Sequence, residues 1–320
     1  MPLFSSYPAS PSIKMLYLGH SGAGKTGSLC SLAAAGYNVR ILDLDEKAEV
    51  IRGFVIGDSK TNPKSIYLRE RPGLWTSEQA ASTASRISYV SCGEKFSIQG
   101  TKSVSQGRAW QTGNTLLNNW VDGENKYGNI SKWTEQDVLV IDSFSRWCEA
   151  ARDFHLAVNN RAGERPRAGD SGSNDYSAIY SYILDFLNLL KSKDIKCHVI
   201  LIGHVVFMDP NRSGVRQTSS TTPQIKGFTQ VLGNANISPQ ISQYFPHVIR
   251  AKSVGSEPTV RRTIVTNNDE NIELITTAPL QVKQEYSLET GLAEYFRDVL
   301  SLSQQKETLN AQQNATRTNF

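Results

Sequence analysis

The stretch Gly19-His20-Ser21-Gly22-Ala23-Gly24-Lys25-Thr26 constrains the fold of this chain more than any other feature. It matches the pattern G-x-x-x-x-G-K-[ST] at every fixed position. It lies between a mostly apolar run, Lys14–Leu18, and a helical pattern that extends from Lys25 to about Ala35. A glycine-rich turn between a strand and a helix is typical of chains whose strands and helices alternate around a parallel sheet. The sequence therefore predicts a mixed α/β fold.

Further apolar segments fit the same alternation, because continuous apolar runs predict buried strands and apolar residues at helical spacing predict helices. The predicted strands are Val39–Leu44, Asp137–Ile141, Cys197–Ile202 and Val248–Ala251, the longer helices are Ser143–Val158 and Asn174–Ser192, and a C-terminal β-hairpin is expected around Thr263–Ile275. Residues 70–134 lack this pattern and are expected to form an irregular insertion. We expect a flexible arm over residues 1–13, one domain over 14–300 and a disordered tail over 301–320.

Composition and motifs narrow the class of protein. Hydrophobic residues make up 39% and charged residues 20% of the chain, as in ordinary globular proteins. No apolar run approaches the roughly 20 residues that cross a bilayer, so no membrane contact is expected. Four dispersed cysteines without a C-x-x-C pair argue against a zinc site and indicate a reducing, cytoplasmic compartment. The absence of N-K-x-D and LSGGQ-like segments argues against Ras-type GTPases and ABC transporter subunits.

The glycine-rich stretch predicts phosphate binding. Backbone amides of Ser21 to Thr26 can turn toward phosphate oxygens at the positive end of a helix. We expect Lys25 to reach the β- and γ-phosphates and Thr26 to offer its hydroxyl to magnesium. Residues 19–26, with Gly27 behind them, are thus predicted to bind ATP with Mg²⁺.

Asp142 ends the apolar run Val138–Ile141, and a carboxylate at the carboxyl end of a parallel strand faces the ligand crevice. We interpret it as the Walker B aspartate that holds magnesium through water. A helix cap is the alternative, although Ser143 could serve as the cap equally well.

The catalytic base is expected elsewhere, because the residue after Asp142 is Ser143 and not glutamate. Asp45 and Glu46 follow the second strand at the same edge, and either could activate water. The sequence does not choose between them. His204, after the strand Cys197–Ile202, is predicted to lie near the γ-phosphate and to report hydrolysis to the next loop; a purely structural histidine is the alternative.

With these residues in place, the chain resembles the RecA-like P-loop ATPases, especially the small single-domain forms of bacteriophages. The resemblance rests on the P-loop, the acidic end of the second strand, V-L-V-I-D-S and I-L-I-G-H. It implies a RecA-like core, assembly into a ring or filament, and a role in phage-type recombination or replication in the host-cell cytoplasm. The family's catalytic glutamate falls by position on Asp45, with Glu46 adjacent.

The resemblance also implies two mobile loops that bind single-stranded DNA. Long polar loops follow at the matching places, and their basic residues are Arg161, Arg165 and Arg167 in the first and Arg212, Arg216 and Lys226 in the second. Such groups suit phosphate contacts, which position a protein without reading sequence. Ordinary solvated loops are the alternative, since the only nearby aromatics are Phe207 and Phe228.

RecA-like proteins complete the ATP site with a basic residue from the neighbouring subunit. Lys226 is the first candidate here, with Arg250 or Lys252 behind it. Three other functions stay open: a DNA-packaging or helicase-loading motor, a P-loop nucleotide or metabolite kinase, and a nucleotide-gated scaffold without hydrolysis.

Overall fold

The computed structural model describes residues 12–47, 50–51, 77–99, 102–168, 174–208, 225–232, 237–255, 260–268 and 271–301. The strands in this part of the chain are β1 Lys14–Gly19, β2 Asn38–Asp43, β3 Ile87–Ser91, β4 Phe96–Gln99, β5 Lys102–Ser105, β6 Trp120–Asp122, β7 Asn125–Gly128, β8 Asp137–Asp142, β9 His198–Met208, β10 Lys226–Thr229, β11 His247–Val254, β12 Arg261–Val265 and β13 Glu285–Ser287. The helices are α1 Lys25–Ser28, α2 Cys30–Ala34, α3 Ser77–Ser85, α4 Arg108–Asn118, α5 Phe144–Val158 and α6 Asp175–Lys191, followed by a helix over residues 291–301. Short 3₁₀ turns cover Ile130–Lys132 and Ser238–Tyr244.

The central sheet has the strand order β13-β12-β11-β1-β9-β8-β2-β3, and β10 pairs with the end of β9. The six strands from β11 to β3 are parallel to one another, whereas β12, β13 and β10 join antiparallel. The prediction of a mixed α/β fold with a mostly parallel sheet is therefore confirmed.

Side chains alternate between the two faces of this sheet, as the period of a strand requires. On β1, Leu16 and Leu18 pack with residues of α4, α5 and α6, whereas Met15 and Tyr17 pack with residues of α2 and the helix over 291–301. Both faces are thus covered, which explains why β1, β8 and β9 are mostly apolar. Within the described residues, no helix combines the length and apolar character that crossing a membrane requires.

Two local predictions differ from the structure. The segment predicted as an irregular insertion contains ordered elements in its described part, and β3 extends the central sheet beside β2. The predicted hairpin around Thr263–Ile275 has different partners: Thr263 pairs with Lys252 and Ser287, and Ile275 bridges to Val248. The antiparallel strand β12 therefore pairs with the strands on both sides, while the connection after it returns to β11.

Strand register places the predicted site residues at one edge of the sheet. Gly19 on β1 lies opposite His204 on β9, and Asp142 on β8 lies opposite Asp43 on β2. Because these strands are parallel, their carboxyl ends meet at the same edge. The end of β2 leads directly into Asp45 there.

Candidate functional site

The glycine-rich turn connects β1 to α1 as predicted. A Cβ atom on Gly19 would lie 2.8 Å from the carbonyl oxygen of Ala251, so only glycine fits this approach of β1 to β11. Gly24 has a φ of +90° immediately before α1, a left-handed conformation that favours glycine. These two positions shape the turn so that the following helix begins at Lys25.

Lys25 lies within the turn that it is predicted to serve. Its Nζ donates hydrogen bonds to the carbonyl oxygens of Gly19, at 2.8 Å, and of His20, at 2.9 Å. Burial lowers the pKa of Lys25 to about 8, although the charges of Asp142 and Asp45 oppose this shift. The ammonium group is thus held at the turn by carbonyl oxygens, which a phosphate anion would outcompete.

A direct hydrogen bond joins the turn to the end of β8. Thr26 Oγ1 donates to Asp142 Oδ2 at 2.6 Å. The pKa of Asp142 is raised to about 6, mainly by burial. The hydrogen bond from Thr26 opposes this shift, whereas the charges of Asp45 and Asp43 add to it. A buried carboxylate that is costly to ionise is expected where a cation is to bind.

The residues at this junction fit a magnesium ion. The Thr26 hydroxyl and the Asp142 carboxylate offer the hard oxygen donors that Mg²⁺ prefers, with phosphate oxygens and water completing its shell. In the described part of the chain, no group of three His, Cys, Asp or Glu side chains could hold a metal by itself. The site therefore fits an ion that arrives with a nucleotide.

Asp45 lines the same cleft as Ser21 of the glycine-rich turn. Its Oδ1 accepts a hydrogen bond from Ser143 Oγ at 3.1 Å, and its Oδ2 lies 3.3 Å from His204 Nε2. Arg146 Nε lies 3.7 Å from Oδ1 and Lys47 Nζ 4.0 Å from Oδ2. Burial raises the pKa of Asp45, but the hydrogen bonds and positive charges outweigh it and leave the pKa below its usual value.

Glu46 and Asp43 have different surroundings. Glu46 has a φ of +56°, and this left-handed turn directs its carboxylate to Ser91 Oγ, 3.3 Å away. Asp43 is buried and accepts the backbone N–H of Lys47 at 3.2 Å. Of these three acidic residues, Asp45 is therefore the one in contact with Ser143 and His204.

His204 connects this edge to a β-ribbon formed by the last residues of β9 and by β10. Its backbone N–H donates to Ser145 Oγ at 3.2 Å, and its carbonyl accepts from Gln230 at 2.8 Å. Beyond it, Phe207 stacks on the ring of His20, with centroids 5.8 Å apart. The ribbon thus contacts the glycine-rich turn through one aromatic pair and Asp45 through one histidine.

Two cavities flank the turn. A cleft of about 590 Å³ opens on the Asp45 side, and its lining residues include Ser21, Asp45, Glu46, Arg146, Glu149 and His204. A cavity of about 480 Å³ opens on the opposite side, between His20 and Ala23 and the end of β11, residues 250–255. Phosphates in the turn would thus have open space on both sides, one for the rest of the nucleotide and one for water or a second substrate.

The first predicted DNA loop is partly anchored. Arg161 Nη1 donates to both carboxylate oxygens of Asp175, at 2.9 and 2.8 Å, and Arg161 Nε donates to Glu164, so the charge of Arg161 is neutralised within the fold. Arg165 and Arg167 have exposed side chains. Of this loop's three basic residues, these two remain accessible to a phosphate backbone.

The remaining predicted basic residues lie in different surroundings. Arg212 and Arg216 lie outside the described residues. Lys226 is exposed at the start of β10, opposite Met208. Arg250 is buried beside its own chain's glycine-rich turn, which does not suit a residue that must reach a neighbouring subunit.

Several contributors to the cleft were not expected from the sequence. Arg146 and Glu149 on α5 and Ser143 before it all contribute to the Asp45 side. Their signal is weak: they lie in the first turns of a helix that begins just after Asp142, at the carboxyl edge of the sheet. Which of these side chains faces the site depends on the rotation of α5, which a helical pattern alone does not specify.

Comparisons with known proteins give a limited result. No protein-family model matches the sequence, and no curated protein sequence matches it significantly. Similar solved structures include the RadB recombinase (15% identity, 88% of this chain and 90% of that chain, TM-score 0.39), the KaiC-like protein PH0186 of Pyrococcus horikoshii (12%, 79% and 77%, 0.35) and the flagellar accessory protein FlaH of Methanocaldococcus jannaschii (12%, 86% and 84%, 0.35). All three TM-scores lie below 0.5, so the function proposed below rests on the chain's own residues.

Proposed function

We propose that this chain is a Mg²⁺-dependent ATPase of the RecA-like type that couples ATP binding and hydrolysis to the binding of single-stranded DNA. The observation that carries the ATPase proposal is the hydrogen bond from Thr26 to Asp142, with Asp45 and His204 at the adjacent edge. This arrangement brings together a phosphate-binding turn, a metal-binding pair and a carboxylate suited to orient water.

Binding is assigned to the turn. The triphosphate would replace the Gly19 and His20 carbonyls as the partner of Lys25 Nζ, and would take backbone amides at the start of α1. Bound Mg²⁺, held by Thr26 and through water by Asp142, would neutralise charge on the β- and γ-phosphates.

Hydrolysis is assigned to Asp45. Ser143 and His204 fix its carboxylate, so one oxygen can accept a hydrogen bond from the attacking water and then its proton. The water oxygen bonds to the γ-phosphorus while the bond to the β,γ-bridging oxygen breaks. Glu46, held at Ser91, is the second candidate.

The proposal of single-stranded DNA binding rests on where basic residues lie and on their charge. The ribbon that contacts Asp45 and His20 leads into residues 209–224, which contain Arg212 and Arg216. Arg165 and Arg167 add exposed positive charge on the loop after α5. Lys226 is proposed to act on the ATP site of a neighbouring copy in a ring or filament. Contacts of this kind would be largely independent of base sequence.

A small-molecule kinase is the second candidate function, because the cleft of about 590 Å³ beside the turn is large enough for a phosphoryl acceptor. The experiment that separates the two measures phosphate release from ATP by the full chain, with and without single-stranded DNA, and with a panel of nucleosides and small hydroxyl compounds. Stimulation by DNA that weakens as salt rises is the expected result. Turnover that ignores DNA and requires a small acceptor would overturn the DNA proposal in favour of a kinase.

A further inference from the structure

Arg146 lies in the first turn of α5, four residues after Asp142. Its Nε lies 3.7 Å from Asp45 Oδ1, and its Nη1 donates a hydrogen bond to Glu149. The side chain is 60% exposed, so solvent reaches the guanidinium and a ligand in the cleft would also reach it. Arg146 is therefore a cation in contact with the candidate base and open to the site.

The cleft gives this guanidinium a path to the phosphates. Arg146 lines the same cleft as Ser21 of the glycine-rich turn and His204, with Asp45 between them. His204 lies opposite Gly19 across the β1–β9 pair. Only the Asp45 carboxylate therefore separates a group that contacts Asp45 from the water that Asp45 is proposed to orient.

Arg146 can leave Asp45 without breaking a close contact. The distance of 3.7 Å from its Nε to Asp45 Oδ1 is longer than a hydrogen bond, so a phosphate oxygen that accepts from the guanidinium offers a shorter contact. Its hydrogen bond with Glu149, one turn along α5, can hold the guanidinium near the cleft during this move. Arg152, which lines the same cleft, pairs with its neighbour Asp153 at 2.8 Å.

We propose that Arg146 supplies, from within the same chain, the positive charge that stabilises the γ-phosphoryl group during hydrolysis. This inference rests on the proposed ATPase function. As the triphosphate arrives, the guanidinium moves from Asp45 to γ-phosphate oxygens, for which its planar fork is suited. The move also frees Asp45 for water.

Hydrolysis replaces one bond of the γ-phosphorus with another. The water oxygen forms a bond to the γ-phosphorus, and the electron pair of the broken bond remains on the β-phosphate of ADP. Asp45 accepts the water proton and later releases it to solvent or to phosphate. Arg146 stays protonated throughout and acts only by its charge and its N–H donors.

The first experiment compares Arg146→Ala, Arg146→Lys and the matched control Arg152→Ala with wild type. Loss of one transition-state donor is expected to lower single-turnover hydrolysis about 10²–10³-fold. Binding of a non-hydrolysable ATP analogue should stay close to wild type, whereas trapping of ADP with magnesium and aluminium fluoride should be lost. Arg146→Lys should recover part of the rate, and Arg152→Ala should behave as wild type. Wild-type hydrolysis by Arg146→Ala would overturn the inference.

The second experiment separates a residue acting within its own chain from one supplied by a neighbour. Lys25→Ala is mixed with Arg146→Ala, each inactive on its own. If Arg146 acts within its own chain, Lys25 and Arg146 belong to the same ATP site. No site in a mixed assembly then has both residues, and the mixture should stay inactive. Recovery of a substantial fraction of wild-type activity would show that Arg146 acts on a neighbour and would overturn the assignment.

Two controls keep the outcomes distinct. If Arg146→Ala unfolds at a lower temperature, Arg146→Gln carries the kinetic test, since it keeps much of the stem but lacks the charge; wild-type trapping and hydrolysis by this variant would also overturn the inference. If the wild-type protein itself does not hydrolyse ATP, the proposed function fails first. An active wild type with an unaffected Arg146→Ala removes only the role of Arg146.

Discussion

The two sides of the glycine-rich turn differ in how firmly their side chains are held. On the cradle side, Lys25, Thr26 and Asp142 are closely packed, and their hydrogen bonds connect residues predicted to bind phosphate and metal. On the cleft side, Asp45 shares its carboxylate among Ser143, His204, Arg146 and Lys47, some of which are exposed. The side chains on the cradle side are held in place for binding, whereas those on the cleft side can change partners. Substitutions on the cradle side should therefore lower nucleotide affinity, and substitutions on the cleft side should lower the rate of hydrolysis.

The largest expected effect is on the cradle side. Lys25→Ala should reduce ATP hydrolysis to background and weaken ATP binding by more than roughly tenfold, because a charge-assisted contact with the phosphates is lost. Titration with a fluorescent ATP analogue and a phosphate-release assay measure the two effects. Lys132→Ala, which removes an exposed lysine far along the chain, is the control and should leave both unchanged. Retained ATP affinity in Lys25→Ala would remove the assignment of binding to the cradle.

On the cleft side, His204→Ala should lower kcat by roughly tenfold to hundredfold, the effect of losing a hydrogen bond to a charged group. Analogue affinity should change little. Because His204 lowers the pKa of Asp45, its removal should also raise that pKa and shift the acid limb of the pH–rate profile to higher pH. An unchanged acid limb would mean that Asp45 is not the group that titrates in catalysis.

Asp142→Asn should stabilise the folded protein while it lowers ATP hydrolysis. The folded-state pKa of Asp142, about 6, lies above its usual value of 3.8, so its contribution to stability is present below 3.8 and is lost as pH rises through about 6. At pH 8, without nucleotide, the substitution should therefore raise the melting temperature, and the gain should shrink at pH 5. Magnesium-dependent hydrolysis should fall at the same time. A lower melting temperature at pH 8 would contradict the assigned cost of this charge.

The smallest effects concern the loop after α5. Arg161→Ala should lower the melting temperature by a few degrees, because it removes the hydrogen bonds to both carboxylate oxygens of Asp175 that anchor the loop. Arg165→Ala should leave the melting temperature unchanged but weaken single-strand DNA binding and reduce its salt dependence. Thermal melts and DNA titrations at two salt concentrations measure both variants. If Arg161→Ala instead weakened DNA binding and Arg165→Ala lowered the melting temperature, the DNA contact would belong to Arg161 and the anchoring role to Arg165.

The cradle was predictable from sequence because its determinants are local. Fixed glycines, Lys25 and Thr26 lie within eight residues, and Asp142 ends a continuous apolar strand. The cleft was not predictable in the same way. The choice between Asp45 and Glu46 depends on the left-handed conformation at Glu46, and the place of Arg146 depends on how α5 packs on the sheet.

Strand pairing shows the same limit. The apolar run Cys197–Ile202 predicts a strand, but β9 continues to Met208 because its last residues pair with β10. β11 likewise pairs with β1, which lies far away in the sequence. Pairing between remote segments leaves little trace in the local pattern on which such predictions depend.

The separation of binding from turnover is tested most directly by single-turnover experiments on Asp45→Asn and Glu46→Gln, with bound and hydrolysed ATP measured in the same samples. Asp45→Asn is predicted to retain intact Mg·ATP with near wild-type affinity while hydrolysis falls about 10²–10⁴-fold, the usual contribution of a positioned base. Glu46→Gln is predicted to hydrolyse at close to the wild-type rate. Loss of ATP binding in Asp45→Asn, or wild-type hydrolysis by that variant, would contradict the account.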